Sequence, residues 1–286
     1  MLSWKIGKVT VTRIVEMDLP LPPYSETFSF LKEATPEALK TMPWLYPNFV
    51  GPDGQLLLSV HALLVDAPGL KLVVDTCIGN DRPRSITGGE ALQTAFLDDF
   101  LAAGWTREGV DAVVCTHLHV DHVGWNTMLE NGKWVPTFPN ARYVIGRAEY
   151  EHWRAKNGEE LQTILADSVQ PIFDAGLAEL VDPDHRLSSE IRLIPTHGHT
   201  PGHVSVVIES EGEHAFISGD FLHHPCQITH PEWTSVSDTD SEQARATRRR
   251  VVEDVARDRS LFIGTHFPAP TAGRVRRDGD AYRFEV

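Results

Sequence analysis

The stretch Thr116-His117-Leu118-His119-Val120-Asp121-His122-Val123-Gly124-Trp125-Asn126 sets three histidines and an aspartate within six residues, His117 to His122. Neutral imidazole and carboxylate are donors that borderline and harder divalent ions take, and four of them in one short turn exceed what ordinary core packing satisfies. The run Val113-Val114-Cys115 before it reads as a buried strand. Alternation at the end of that strand aims His117 and His119 the same way, whereas Asp121 and His122 come off the following turn. Two donor sets, one per ion, follow. A histidine-rich surface turn is the alternative, and the buried strand leading into the motif speaks against it.

Three downstream segments carry further candidates: Thr196-His197-Gly198-His199-Thr200-Pro201-Gly202-His203, Ile217-Ser218-Gly219-Asp220 and Ile263-Gly264-Thr265-His266. Each follows an apolar run that reads as a strand: Ile191 to Ile194, Ala215 to Ile217 and Leu261 to Ile263. Each candidate therefore stands just past a strand end, where a rigid element can aim a side chain at a common point.

The blocks H-x-H-x-D-H, G-H-T-P-G-H, S-G-D and G-T-H, in that order, resemble the metallo-β-lactamase superfamily of metal-dependent hydrolases over most of the chain. The resemblance implies that His117, His119 and His199 hold one divalent metal ion, that Asp121, His122 and His266 hold a second, and that Asp220 bridges them. Zinc is the first expectation for the two ions, and a His/Asp donor set also admits manganese, iron or cobalt. Asp75, after Leu72-Val73-Val74, matches the family aspartate that buttresses metal-binding histidines; a plain turn cap is the other reading. His203 closes its block, but the family pattern gives the metal to His199, so His203 reads as structural.

Departures from the pattern narrow the expected function. Antibiotic-cleaving members of one branch carry a cysteine where this chain has Asp220, and Cys226 comes too late to fill that place. The donor set is similar to that of acyl-homoserine lactonases, pyridoxolactonase-like enzymes and methyl parathion hydrolase-like phosphotriesterases. The better-known acyl-homoserine lactonases place a tyrosine three residues after the bridging aspartate; here that position is His223, followed by His224. The expected activity is that of a dinuclear metal-dependent hydrolase opening a lactone or carboxylic ester. The alternatives are a phosphotriesterase or thioester hydrolase on the same site, and a non-catalytic metal-binding protein. Two ions bridged by Asp220 would bring the pKa of a shared water down to about 7, making hydroxide the nucleophile. Asp121 either passes the proton onward or serves as a ligand only.

Charge and composition fit that expectation. The 286 residues hold 26 Lys and Arg against 40 Asp and Glu, a net charge of −14. An acidic surface repels phosphodiester backbones, which argues against nucleic acid and for a small neutral or hydrophobic ester or lactone. Cys77, Cys115 and Cys226 form no C-x-x-C pair, so neither a disulfide framework nor a zinc ribbon is expected. The N-terminal stretch has no signal-peptide core and no run approaches membrane-spanning length, so a cytoplasmic protein with no membrane partner is expected. Arg245, Arg248, Arg249 and Arg250, interspersed with Glu242, Glu253 and Asp254, read as the solvated face of a helix.

The hydrophobic pattern alternates strands and helices in two halves. Strands are expected at Val9 to Val15, Leu56 to Asp66, Leu70 to Asp75, Ala112 to Thr116, Arg142 to Ile145, Ala178 to Val181, Ile191 to Pro195, Val204 to Glu209, Ala215 to Ser218 and Leu261 to Gly264. Helices are expected at Pro36 to Thr41, Glu90 to Ala103, Arg147 to Asn157, Gly158 to Ala175 and Ser241 to Asp258. The pattern itself says mixed α/β; the resemblance implies a single domain over residues 1–286 with a four-layer αββα sandwich. Residues 19–54 interleave prolines with Tyr24, Phe28, Phe30, Trp44, Tyr46 and Phe49, a pocket-covering segment in which Trp44 and Phe49 are candidate substrate contacts. Tacking the segment to the sandwich, or a homodimer contact, is the alternative use of these rings. Phe221 to Asp240 is a second candidate, with His223, His224 and Trp233 as substrate contacts.

Overall fold

The computed structural model describes residues 1–27 and 29–286. Strands β1 (Ser3–Ile6), β2 (Val9–Pro20), β3 (Leu57–Ala67) and β4 (Leu70–Val74) run antiparallel in sequence, and β5 (Ala112–Cys115) joins β4 in parallel. The hairpin of β6 (Thr127–Glu130) and β7 (Lys133–Pro136) stands apart, after which β8 (Arg142–Gly146) and β9 (Ala178–Val181) complete the seven-stranded sheet β1-β2-β3-β4-β5-β8-β9. The second sheet orders β10 (Ile191–Pro195), β11 (Val204–Ser210), β12 (Glu213–Ile217), β13 (Leu261–Ile263), β14 (Ala272–Asp278) and β15 (Ala281–Glu285) consecutively. Helices are α1 (Pro36–Lys40), α2 (Phe96–Ala102), α3 (Arg147–Arg154), α4 (Glu159–Ile164), α5 (Gln170–Asp174), α6 (Cys226–Thr229) and α7 (Ser241–Asp258).

Alternation along the strands sorts the apolar residues into layers. Leu63, Val65, Leu72, Val74 and Val114 of the first sheet meet Leu193, Val206, Ile208, Ile217 and Ile263 of the second in one buried cluster. The opposite side of the first sheet, with Ala62, Leu64, Val73 and Val113, packs against Phe96 and Phe100 of α2 and Ile172 of α5. The outer side of the second sheet, with Val207, Phe216 and Phe262, packs against Val251, Val252 and Val255 of α7. Helix, sheet, sheet and helix therefore follow one another, the αββα order expected.

Three local departures have physical causes. Helix α2 starts at Phe96 rather than Glu90, because the Asn80 side chain holds Thr94 in the preceding loop, accepting its N–H at 2.8 Å and donating to its carbonyl at 3.1 Å. The helix expected over Gly158 to Ala175 breaks into α4, a π-helical turn at Leu165–Val169, and α5. Pro171 has no N–H to give the carbonyl of Asp167, which accepts the Thr127 hydroxyl at 2.5 Å instead. On β2, a bulge between Val15 and Met17 turns Glu16 inward, where it accepts the N–H groups of Ile78 and Gly79 at 2.7 and 3.0 Å. No helix among the described residues is long and apolar enough to cross a membrane.

Candidate metal centre

The motif turn that follows β5 is docked on the loop that follows β4. Thr76 donates its N–H to the carbonyl of His122 at 2.8 Å, Trp125 donates to that of Thr76 at 2.7 Å, and Gly124 to that of Cys77 at 2.8 Å. A Cβ on Gly124 would stand 1.8 Å from the Ile78 carbonyl oxygen, so only glycine allows this approach. Asp75, in the left-handed region at φ 57°, accepts the Thr116 N–H at 2.8 Å, the Thr116 hydroxyl at 2.9 Å and His122 Nδ1 at 2.9 Å. That places Asp75 directly behind an inward-facing imidazole rather than at a plain turn cap.

The ends of β5, β10, β12 and β13 bring all seven sequence-selected donors together. His117 Nε2 lies 3.0 Å from His119 Nδ1 and 3.2 Å from His199 Nε2, and the last two are 2.9 Å apart. Asp121, His122 and His266 form a second group, with carboxylate-to-ring distances of 3.6 Å for His122 and 3.5 Å for His266. Asp220 Oδ2 stands between the groups, 3.1 Å from His266, 3.3 Å from His122, 3.7 Å from His199 and 3.9 Å from His117. His223 joins from the other side, with Nε2 3.3 Å from the same oxygen.

The outer hydrogen bonds fix which ring nitrogen faces inward. His122 gives Nδ1–H to Asp75, His266 gives its own to the Ser59 carbonyl at 3.0 Å, and His199 faces Asp238 Oδ1 with Nδ1 at 3.3 Å. The Thr116 hydroxyl donates to Asp75 and so accepts from His117 Nδ1 at 3.1 Å. Each of these four rings thus turns an Nε2 lone pair toward its neighbours and toward a carboxylate that only accepts. His122 Nε2 and Asp220 Oδ1 are buried with no hydrogen-bond partner among the described residues. Lone pairs crowded at these separations suit cations: nitrogens bound about 2.0 to 2.1 Å from a tetrahedral zinc stand about 3.3 Å apart.

Electrostatics divide the rings. Burial holds His117 and His199 well below the usual imidazole range and lowers His119 to about 4. Burial opposes charge on His122 and His266 too, but the carboxylates of Asp220 and Asp121 overcome it and raise both, His122 strongly. Burial would raise Asp220, yet His122, His266 and His223 hold it well below the ordinary carboxylate range. Protons on His122 and His266 therefore compete for the positions that a cation takes.

Around these groups lies a cavity of about 650 Å³. His119, Asp121, His199, Asp220, His223 and His266 form its polar floor; Leu19, Leu21, Phe30, Leu58, Trp153, Leu161 and Ile164 are among its apolar walls. No lysine or arginine lines it among the described residues. The first half of the 19–54 segment supplies Tyr24 and Phe30; Phe28 lies outside the described residues. Four expected substrate contacts are corrected. Phe49 is core, packed on Phe267 and Phe284 at 5.9 Å each, and Trp44 packs against the same cluster. His224 is buried away from the cavity, donating Nε2–H to the Phe49 carbonyl at 2.8 Å and accepting the Cys226 N–H at 3.2 Å. Trp233 stacks on His230 at 4.2 Å in the core under α7. Phe49, Trp44 and Trp233 thus join one apolar cluster, and His224 is held beside it by its two hydrogen bonds.

Buried charges that back the centre escaped the sequence reading. Arg248 does not belong to a solvated face: it is buried, with Nη1 3.2 Å from Asp238 Oδ2 and 3.1 Å from the Phe221 carbonyl, and so backs the carboxylate that faces His199. Its spacing from Ala244, Val251 and Val255, all buried on α7, is the helical signal that marks it as inward-facing. Glu149 on α3 accepts four hydrogen bonds, from Leu118, Trp153, Thr200 and Gly202. Trp153 lies one turn along α3, but Leu118, Thr200 and Gly202 come from two distant loops that no local spacing announces.

A model of the metallo-beta-lactamase superfamily matches residues 56–266. The chain belongs to that superfamily. An N-acyl homoserine lactonase of Bacillus sp. is 32% identical to this superfamily member over 108 residues, 38% of this chain and 36% of that protein. The N-acyl homoserine lactonase AttM of Rhizobium radiobacter is 29% identical over 120 residues, 39% of this chain and 41% of that protein. The matched region thus covers well under half the length of these relatives. Among solved structures, the hydrolase AbOPH aligns with a TM-score of 0.80 at 24% identity, over 99% of this chain and 96% of that one. AidC, a dizinc quorum-quenching lactonase, aligns at 0.79 and 20% identity over the same shares. These two likenesses are of fold.

Proposed function

We propose that this superfamily member is a two-metal hydrolase that opens a lactone or carboxylic ester of a neutral, largely apolar substrate. One observation carries the reading: seven His and Asp donors converge, with lone pairs inward, on the floor of an apolar cavity. In this reading His117, His119 and His199 hold one divalent ion, Asp121, His122 and His266 a second, and Asp220 both. Bound there, such ions supply Lewis acidity and a water acidified to a pKa of about 7. Zinc is the first choice, in keeping with the dizinc AidC, and nitrogen and oxygen donors alone also admit manganese, iron or cobalt.

The remaining steps fall to the chain. Asp220, buried between the two groups, fixes their separation. Asp121 belongs to the cavity floor and is the carboxylate placed to carry a proton to the leaving oxygen. His223, edge-on to Phe30 at 5.0 Å, borders the substrate. Apolar walls desolvate an acyl group, and walls without lysine or arginine offer nothing to a second carboxylate. The Bacillus and Rhizobium relatives, named as N-acyl homoserine lactonases, support a lactone as the ester opened.

Metal-loaded protein assayed on matched lactones, aryl esters, phosphotriesters and thioesters tests the proposal. Fastest turnover on a neutral lactone or carboxylic ester, abolished by chelation and restored by added zinc or manganese, is the expected result. Turnover that survives thorough metal stripping overturns it, and a clear preference for phosphotriesters reassigns the substrate.

A further inference from the structure

Four imidazoles of the centre are held from behind by hydrogen bonds: His117 by Thr116, His122 by Asp75, His199 by Asp238 and His266 by the Ser59 carbonyl. His119 has no such bond from its outer nitrogen to another described residue. Its ring is steadied by Trp153, edge-on at 5.2 Å. Trp153 in turn donates its indole N–H to Glu149 Oε1 at 2.5 Å, and the same oxygen accepts the N–H of Leu118, the residue between His117 and His119, at 3.0 Å. Glu149 Oε2 accepts the hydroxyl of Thr200, next to His199, at 2.7 Å, and the N–H of Gly202 at 3.0 Å. A Cβ on Gly202 would stand 2.2 Å from the Glu149 nitrogen, so α3 sits directly on the His199 loop.

We propose that Glu149 is the positioning residue for the His117, His119 and His199 group, tying the two loops that carry these rings and the indole behind His119 through one buried carboxylate. The inference rests on the two-metal reading and extends it: Glu149 serves only the His117, His119 and His199 group, whereas Asp75 holds His122 directly and reaches His117 through the Thr116 hydroxyl. A carboxylate suits the role because four donors converge on it and it accepts at both oxygens. A glutamine keeps one accepting oxygen and turns an amide donor toward the other pair, so two of the four bonds are lost with shape preserved.

The test compares the full-length wild type with Glu149→Gln, Thr200→Val and Asp75→Asn, each stripped and titrated with cobalt(II). Readouts are ions per chain by elemental analysis, the visible cobalt absorption, and the melting temperature of the stripped protein. Losing an outer support weakens metal binding by roughly 10- to 100-fold. Glu149→Gln is expected to weaken one of two ions by that amount and leave the other unchanged, while Asp75→Asn, which touches His122 directly and His117 through Thr116, weakens both, with a different change in the spectrum. Thr200→Val, which removes one bond, is expected to shift the same ion as Glu149→Gln by less and to melt, when stripped, as the wild type does. Two ions bound with unchanged affinity and spectrum in Glu149→Gln overturn the proposal. Equal weakening of both ions in Glu149→Gln and Thr200→Val also overturns it. Wild-type protein that never takes two ions overturns the two-metal reading itself.

Discussion

His203 Nε2 accepts the backbone N–H of Asp220 at 2.7 Å, while its Nδ1 is 2.8 Å from the Thr196 hydroxyl. Both ring nitrogens are spent, so His203 supports the Asp220 peptide and is not itself a donor to the centre, as its place in G-H-T-P-G-H implied. The two residues should fail differently. Asp220→Ala should lower kcat at least about 100-fold, the scale of losing one preorganised charge-stabilising group. His203→Ala leaves the carboxylate but frees its backbone, and a 10- to 100-fold fall in metal affinity or activity is roughly what lost outer support brings. Steady-state kinetics and metal content of both variants check this; near-normal turnover in Asp220→Ala with full metal content would mean the bridge lies elsewhere.

The Asp238 and Arg248 pair should behave as a coupled buried unit. Both side chains are buried, and Arg248 also donates to the carbonyls of Phe221 and Pro231, at 3.1 and 2.9 Å. Removing one partner of such a pair costs about 3 to 5 kcal/mol, because the other charge is stranded. Asp238→Asn and Arg248→Met should each show that loss in urea unfolding, and the double variant should lose much less than the sum. Additive losses would refute the coupling.

The residues that name the site are local in sequence, and the residues that hold it are not. His117 to His122, His199, Asp220 and His266 each sit two to seven residues past a strand whose apolar pattern is plain, so the strands and the donors beyond them were legible, while the four-layer order rests on the family resemblance. Asp75 was legible for the same reason, closing the run that becomes β4. Phe49, Trp44 and Trp233 were misplaced because an aromatic in a proline-rich loop has the same local signature whether it faces a cavity or the sheet beneath. Glu149 and Asp238 are ordinary acidic residues until α3 and the loop before α7 fold against the His199 segment.

Acid should destabilise the metal-free protein through buried neutral imidazoles, and His224 is the one to isolate because it lies outside the donor set. Burial lowers its pKa to about 4 in the fold, against about 6.5 in an unfolded chain. The unfolded state therefore takes up a proton first as pH falls. The stability His224 contributes is complete above about pH 6.5 and is lost as pH falls toward 4, a difference of up to about 3 kcal/mol. His119 shifts the same way, so the comparison must be with a variant. His224→Gln, which can still donate to the Phe49 carbonyl, should show a smaller loss of urea midpoint between pH 7 and pH 4.5 than the wild type. Equal losses would show that His224 does not resist protonation in the fold.

Phe30 and Phe49, rings of one segment, should separate binding from folding. Phe30 is on the cavity wall, whereas Phe49 is buried among Phe267, Phe284 and His224. Phe49→Ala should cost about 3 to 5 kcal/mol of stability, the usual toll of emptying a phenylalanine site in a core. Phe30→Ala should leave the unfolding transition near that of the wild type, raise KM for a neutral apolar lactone and change kcat much less, because the ring binds ground state and transition state alike. A matched substrate ending in a carboxylate should be turned over more slowly by the wild type, since its charge must leave water for walls that hold no cation. Faster hydrolysis of the carboxylated partner would contradict the apolar-cavity argument, and a Phe30→Ala variant that lost stability instead of affinity would return that ring to the core.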